Sequence, residues 1–236
     1  MATTFVPFGA SHLGALAVTI VASLILIGSV RLWGGPGLVA AIRRSLATIL
    51  LANWSLWFVL LYERGWFSAG TILPMHLCDW TTIVTAITLI HPNQRTYELA
   101  YFWALGGTLQ ALLTPDLAVG FPDLRFLIFF GLHGGVIVSV LFFTFGLRMR
   151  PWPSSIPRVV AWSSVYLAAA IAVNAIFGTN FGYLSAKPAQ PSLLDLLPPW
   201  PYYIGGMILL GFAFIILFYL PFWLRDRLMA DRDIFS

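Results

Sequence analysis

The chain has 236 residues, of which 59% are apolar and only 9% charged, with a mean hydropathy of +0.86. Soluble domains are roughly half apolar and about a quarter charged, so this composition excludes an ordinary water-soluble protein and fits one membrane domain, 1–236. The formal net charge of +4 comes from Lys and Arg placed almost wholly at the ends of apolar runs, which argues for membrane orientation and against nucleic acid.

The first apolar run, near 9–31, has no Lys or Arg before it and meets its first cation at Arg31. This pattern is expected of a retained helix entering from outside, not of a cleaved signal peptide. Leu38–Ser45 is expected to be a short helix at the cytoplasmic surface, followed by spans near 46–62, 74–91, 97–114, 124–147, 157–177 and 200–224. Each run is close to the roughly 20 residues that cross ~30 Å of hydrocarbon. The expected fold is all-α, a polytopic seven-transmembrane-helix bundle with its N-terminus outside and its C-terminus cytoplasmic.

The cations support that direction. Arg31, Arg43, Arg44, Arg95, Arg148, Arg150, Arg158, Arg225, Arg227 and Arg232 fall on the cytoplasmic side, against Arg64, Arg125 and Lys187 outside, so ten of thirteen obey one orientation. Trp33, Trp66, Trp152, Trp200, Tyr202 and Tyr203 lie near span ends, as interfacial aromatics should. No solenoid repeat, low-complexity linker or soluble-partner motif is visible.

Polar side chains inside spans are costly, and here they cluster in the outer half. The third span brings His76, Cys78 and Asp79 just after Pro74; the fourth ends past Gln110, Thr114 and Asp116; the fifth reaches His133; the sixth carries Asn174 and exits at Asn180. Four helices thus deliver polar groups to one level, the arrangement of a cavity near the outer leaflet. Gly106, Gly107, Gly134 and Gly135 are expected to let helices approach closely around it.

At about 100° per residue, His76 and Cys78 stand roughly 200° apart and cannot form a dyad on one helix face. Asp79 stands about 60° from His76 and is placed to orient that imidazole. A nucleophilic Cys78, the only cysteine, therefore needs its base from another helix, and His133 matches it in depth. No paired-Cys or H-x-x-x-H spacing supports a metal, and no cofactor is expected. His12 and His91 read as peripheral, and Asn53 as an interhelical hydrogen-bond residue. A retinal protein is disfavoured, since the last span has no Lys for a Schiff base.

The segments LPMHLCDW, GGTLQALLTPDL with FPDLRF, FFGLHGG, GTN with YLSAKP, and SLLDLLPPWPYYI resemble, in that order, the bacterial YwaF-like family of integral membrane proteins. That family in turn looks related to human transmembrane protein 164, described as a phospholipid acyltransferase using a cysteine. A more distant likeness is to the androgen-induced membrane hydrolases of fatty-acid esters, which pair Thr with His. The resemblance implies a bacterial cytoplasmic-membrane protein acting on membrane lipids, with Cys78 as acyl-accepting nucleophile and His133 as base. Asp116, His76 or Asp79 would orient a histidine, Asn180 or Gln110 would steady an oxyanion, and Thr114, Asn174 and Tyr183 would complete the substrate wall. Asp123 stands where the family often has His, and FGYL follows GTN in place of a Met-containing run.

Three functions compete at this stage. The leading one is lipid acyl transfer or ester hydrolysis through Cys78. The second is a transporter or sensor in which Asp79, Asp116 and His133 bind a cation or relay protons; the sparse inner half and the lack of an inverted repeat weigh against it. The third is a scaffold whose polar groups only pair with one another.

Overall fold

A computed structural model describes residues 3–234. These residues form helices and loops, with one isolated backbone bridge between Thr4 and Val119 and no strand among them. In chain order the elements are α1 (Ala10–Trp33), α2 (Pro36–Arg64), α3 (Ala69–Ile72), α4 (Leu77–Ile90), α5 (Gln94–Trp103), a π-helical turn π1 (Ala104–Thr108), α6 (Leu109–Leu113), α7 (Leu124–Leu141), a second π turn π2 (Phe142–Gly146), α8 (Ser155–Phe177) and α9 (Tyr202–Ile234). Two short 3₁₀ turns, Phe181–Tyr183 and Leu193–Leu196, lie between α8 and α9.

Six stretches are long and apolar enough to cross a membrane: Ala10–Trp33, Pro36–Arg64, Ala69–Ile90, Leu124–Gly146, Ser155–Phe177 and Tyr202–Met229. With this composition they make the chain an integral membrane protein. The run expected near 97–114 is less apolar, because it carries Glu98 and Gln110, and its α-helical hydrogen bonding is interrupted by π1. Its backbone nevertheless stays right-handed helical through both junctions, Ala104 and Leu109. The expected surface helix at Leu38–Ser45 does not exist as a separate element. Pro36 starts α2 at a favourable first position, and the helix runs unbroken from there to Arg64, where Gly65 ends it with φ of 64°.

α7 is the central helix, with two-thirds of its spanning residues buried, whereas α1 and α9 bury almost none. Its glycines explain how it takes neighbours so closely: Gly134 faces Thr19 of α1, and Gly131 and Gly135 face Asn53 and Leu50 of α2. Buried hydroxyls on these helices donate to the carbonyl four residues back, as Thr19, Ser23, Thr88, Ser139 and Thr144 all do, and so need no water. A methyl at Gly135 would lie 2.8 Å from Leu50 Cδ2, and Leu50 is fully buried. Gly135→Ala is therefore expected to cost about 1–3 kcal/mol, read as a lowered melting temperature in detergent, while Gly205→Ala, in α9 with nothing within 4 Å, should not lower it.

The two ends of the bundle differ in chemistry. At one end arginines close helix C-termini: Arg43 donates to the Leu89 and Ile90 carbonyls at 2.8 Å, and Arg31 to the Phe145 carbonyl at 2.8 Å. The ion pairs Arg158–Glu98 and Arg150–Asp226 stand at the same end. At the opposite end the amino-terminal segment lies on the loop after α6, with the Phe5 N–H donating to the Ala118 carbonyl at 3.1 Å. His12, which reads as peripheral from sequence, is fully buried there. It accepts from the Phe8 N–H at 2.8 Å through Nδ1, so Nε2 carries the proton it donates to the Leu112 carbonyl at 2.8 Å, tying α1 to α6.

Candidate active site

α4 begins three residues later than the sequence suggests, at Leu77. Pro74 lacks an N–H and holds Leu73 extended, so the chain between α3 and α4 is irregular. Irregular backbone at membrane depth persists only where it lines a cavity or is enclosed by protein. Here it lines one: Ile72, Leu73, Pro74 and His76 through Asp79 all face a cavity of about 930 Å³. Asp79 does not orient the His76 imidazole. Its Oδ2 accepts from the His76 backbone N–H at 2.9 Å, capping the start of α4, where a negative charge complements the helix dipole.

The opposite walls come from π1, α6, α7, α8 and α9. Gly106 and Gly107 sit in π1, and their missing side chains let Phe214 of α9 and Leu77 of α4 come close; a methyl on Gly107 would be 3.1 Å from Leu77 Cδ2. α8 packs on α5, and α9 on π1 and α5, with no comparable packing between α8 and α9. Ser163, Ser164 and Leu167 of α8 and Ile208, Gly211 and Phe212 of α9 line the cavity from the two sides of that gap. The lining is mainly apolar and aromatic, with polar groups concentrated near α4.

Cys78 and His133 both line this cavity. Counting helix rise, Cys78 stands about 18 Å from the far end of α4 and His133 about 13 Å below the start of α7, which sets them at one depth in a layer of roughly 30 Å. His133 Nδ1 is 2.8 Å from the Phe129 carbonyl, which can only accept, so Nδ1 holds the proton and Nε2 is the basic nitrogen. Its ring stacks on Phe129 at 4.1 Å, which fixes the orientation. No hydrogen bond joins the Cys78 thiol to His133. The thiol's neighbour is the hydroxyl of Thr108, a fully enclosed group in π1 that has no hydrogen-bond partner of normal geometry.

The remaining expected residues divide. His76 is held between Phe181, edge-on at 5.1 Å, and Tyr183 at 5.9 Å. Asp116, exposed at the cavity mouth, accepts from the Tyr183 hydroxyl at 3.1 Å and the Gln190 N–H at 3.2 Å. Gln110 and Thr114 line the cavity; Thr114 donates to the Gln110 carbonyl at 3.1 Å, and the Gln110 amide makes no bond to the protein. Asn174 does not line it. Its Oδ1 accepts from Thr179 Oγ1 at 2.8 Å and the Phe181 N–H at 2.7 Å, and its Nδ2 donates to the Phe181 carbonyl at 2.9 Å, so it pins the turn after α8. Asn180 lines the cavity, with its amide holding Ser185 and Ala186 at 2.8–3.0 Å.

At the mouth, Arg125 grips Asp123 through Nε at 2.9 Å and Nη2 at 2.8 Å, and these hydrogen bonds hold that carboxyl down at about 2. Asp123 is thus a charged partner, not a proton donor near neutrality. Two lining or adjoining groups, Thr108 and Tyr166, escape the sequence reading, and Asn53, expected to hydrogen-bond between helices, makes no such bond. Asn53 and Tyr166 line the cavity, and their Oδ1 and OH atoms are enclosed without a partner. Tyr166 lies mid-helix, away from either interface, and such a polar group is the signal that marks it.

Among the described residues no cluster of His, Cys, Asp and Glu has the arrangement of a metal site. No curated protein and no solved structure matches the chain. The sequence model of the TMEM164 family matches residues 7–219, and the chain belongs to that family.

Proposed function

We propose that the protein is a membrane-embedded lipid acyltransferase or lipid esterase working through Cys78 and His133. The observation that carries this reading is one apolar cavity of about 930 Å³ that holds both a thiol and an imidazole whose basic nitrogen is set by its bond to Phe129. Ligand cavities run about 300–1,000 Å³, so a lipid acyl chain fits between α8 and α9, with its ester at α4. Family membership in TMEM164 agrees with a membrane role. The cavity's polar end, with Gln110 unengaged, suits the ester and head group; its apolar walls suit the chain.

In this reading His133 Nε2 takes the thiol proton and the sulfur attacks the ester carbonyl carbon. The S–C bond forms as the C=O π pair moves to oxygen. Collapse restores the carbonyl, breaks the C–O bond and returns the proton from His133 to the leaving alcohol. A lysolipid hydroxyl or water, activated by the same nitrogen, then releases the acyl group from sulfur. His76, in contact with Phe181 and Tyr183, and Asp116, bonded to Tyr183, belong to the mouth that admits the head group.

The same proposal takes Gln94–Leu113 as a seventh crossing, since its rise is about 30 Å. The arginine-capped end then faces the cytoplasm and the amino terminus lies outside, in a bacterial cytoplasmic membrane, as for YwaF-like proteins. The test is acyl capture. Incubated with a fluorescent diacylglycerophospholipid, the protein is expected to carry the acyl group on the Cys78 peptide, released by neutral hydroxylamine, and Cys78→Ala to carry none. An unlabelled wild type together with wild-type turnover by Cys78→Ala would rule the reading out.

A further inference from the structure

We infer that Tyr166 is the oxyanion donor of this site: its hydroxyl hydrogen-bonds the ester carbonyl oxygen when Cys78 attacks. The inference rests on the acyl-transfer reading above and adds a catalytic residue to it. The chemistry calls for such a donor, because the negative oxygen forms in a mainly apolar cavity that solvates it poorly. Gln110 lines the cavity but stands within one turn of the end of α6, nearer the mouth than His133, nine residues into α7; Asn180 is spent on its own loop.

Tyr166 is 8% exposed, its hydroxyl oxygen is enclosed, and that hydroxyl has no hydrogen-bond partner although it belongs to a residue lining the cavity. Buried tyrosine hydroxyls ordinarily find one. An unpaired one is retained at a cost unless something absent from the resting protein completes it. The Leu77 N–H at the start of α4 points toward the phenol oxygen without closing a bond of normal geometry, which leaves the O–H free to turn to a ligand. The Cys78 thiol is within electrostatic reach of the same hydroxyl.

The chain also shapes the position. Trp80 meets the Tyr166 ring edge-on at 5.4 Å. Gly182, with φ of 66°, comes so close that a methyl there would be 2.8 Å from the hydroxyl oxygen. Two elements thus fix a side chain that satisfies no bond of the fold. In the attack the carbonyl π pair moves onto oxygen and the Tyr166 proton stays on its own oxygen, shared in a hydrogen bond. When the carbonyl re-forms, the bond relaxes, so no net proton passes through Tyr166.

The experiment compares wild type, Tyr166→Phe and Cys78→Ala in phosphatidylethanolamine–phosphatidylglycerol vesicles, using a fluorescent diacylglycerophospholipid as substrate. Tyr166→Phe is expected to lower kcat about 10²-fold or more, with KM changed less than about 3-fold. Its melting temperature should stay level or rise, because the lost hydroxyl had no partner. Alkylation of Cys78 by iodoacetamide, which forms no oxyanion, should keep its wild-type rate. Wild-type kcat in Tyr166→Phe with an inactive Cys78→Ala overturns the Tyr166 role and leaves the acyl-transfer reading standing. A fully active Cys78→Ala overturns both. A Tyr166→Phe protein that melts well below wild type, or whose Cys78 alkylates much more slowly, overturns the inference in favour of a structural or thiol-activating role.

Discussion

Vesicles carrying His133→Gln are expected to turn over the lipid ester about 10²–10⁴-fold more slowly than wild type, the usual contribution of a positioned general base. The choice of substitution follows from the geometry. His133 makes one hydrogen bond within the protein, from Nδ1–H to the Phe129 carbonyl at 2.8 Å, and stacks on the Phe129 ring. A glutamine amide can reproduce that donor and roughly fill the volume, yet offers no basic nitrogen. Stability should therefore hold within about 1 kcal/mol while activity falls. His133→Ala removes the donor as well and widens the cavity, so it adds a folding cost, and added imidazole should restore part of its turnover. Wild-type rates in both variants would remove His133 from the chemistry.

How far the sequence anticipates the molecule depends on which physical signal each element carries. Apolar length located the spans of α1, α7 and α8 to within a few residues, because hydrocarbon thickness sets that length. It misread the start of α2, where Leu38–Ser45 reads as a separate surface helix. Arg43 is instead turned onto the C-terminal carbonyls of α4, a tertiary contact that no local pattern records. The two π turns are equally silent: Gly106 and Gly107 announce close packing but not a change of helical register.

The site repeats this contrast. The common depth of Cys78 and His133 is simple helix rise, and the cavity holds both. That Asp79 caps a backbone N–H could not be read from the 60° spacing, because the spacing assumes that the helix includes His76, which is its cap. Asn174 looked like a substrate contact, yet it pins the turn after α8, whose conformation only the fold defines; Asn180 lines the cavity and also holds its own loop. Tyr166 gains its meaning from Gly182 and Leu77, which are distant from it in the chain.

The largest expected loss of stability lies away from the cavity, at Glu98. This carboxylate is 1% exposed, accepts from Gln94 Nε2 at 2.9 Å and pairs with Arg158, joining α5 to the start of α8. Glu98→Ala leaves a partly buried guanidinium without its counter-ion, for which the expected cost is about 3 kcal/mol, the low end for a broken buried pair because Arg158 keeps 30% of its side-chain exposure. Asp226→Ala, which breaks a pair whose carboxylate is 44% exposed and screened by solvent, should destabilise far less. Thermal unfolding in one detergent compares the two directly. Glu98→Ala should also slow lipid turnover, since α8 carries Tyr166 and the Ser163 that accepts from Trp103 Nε1 at 2.9 Å. The double variant Glu98→Leu with Arg158→Met separates the charge from the packing: if the cost arises from an unpaired charge, the double variant melts near wild type although each single change does not. A double variant as unstable as Glu98→Ala would instead show that the carboxylate's bond to Gln94 holds α5 in place.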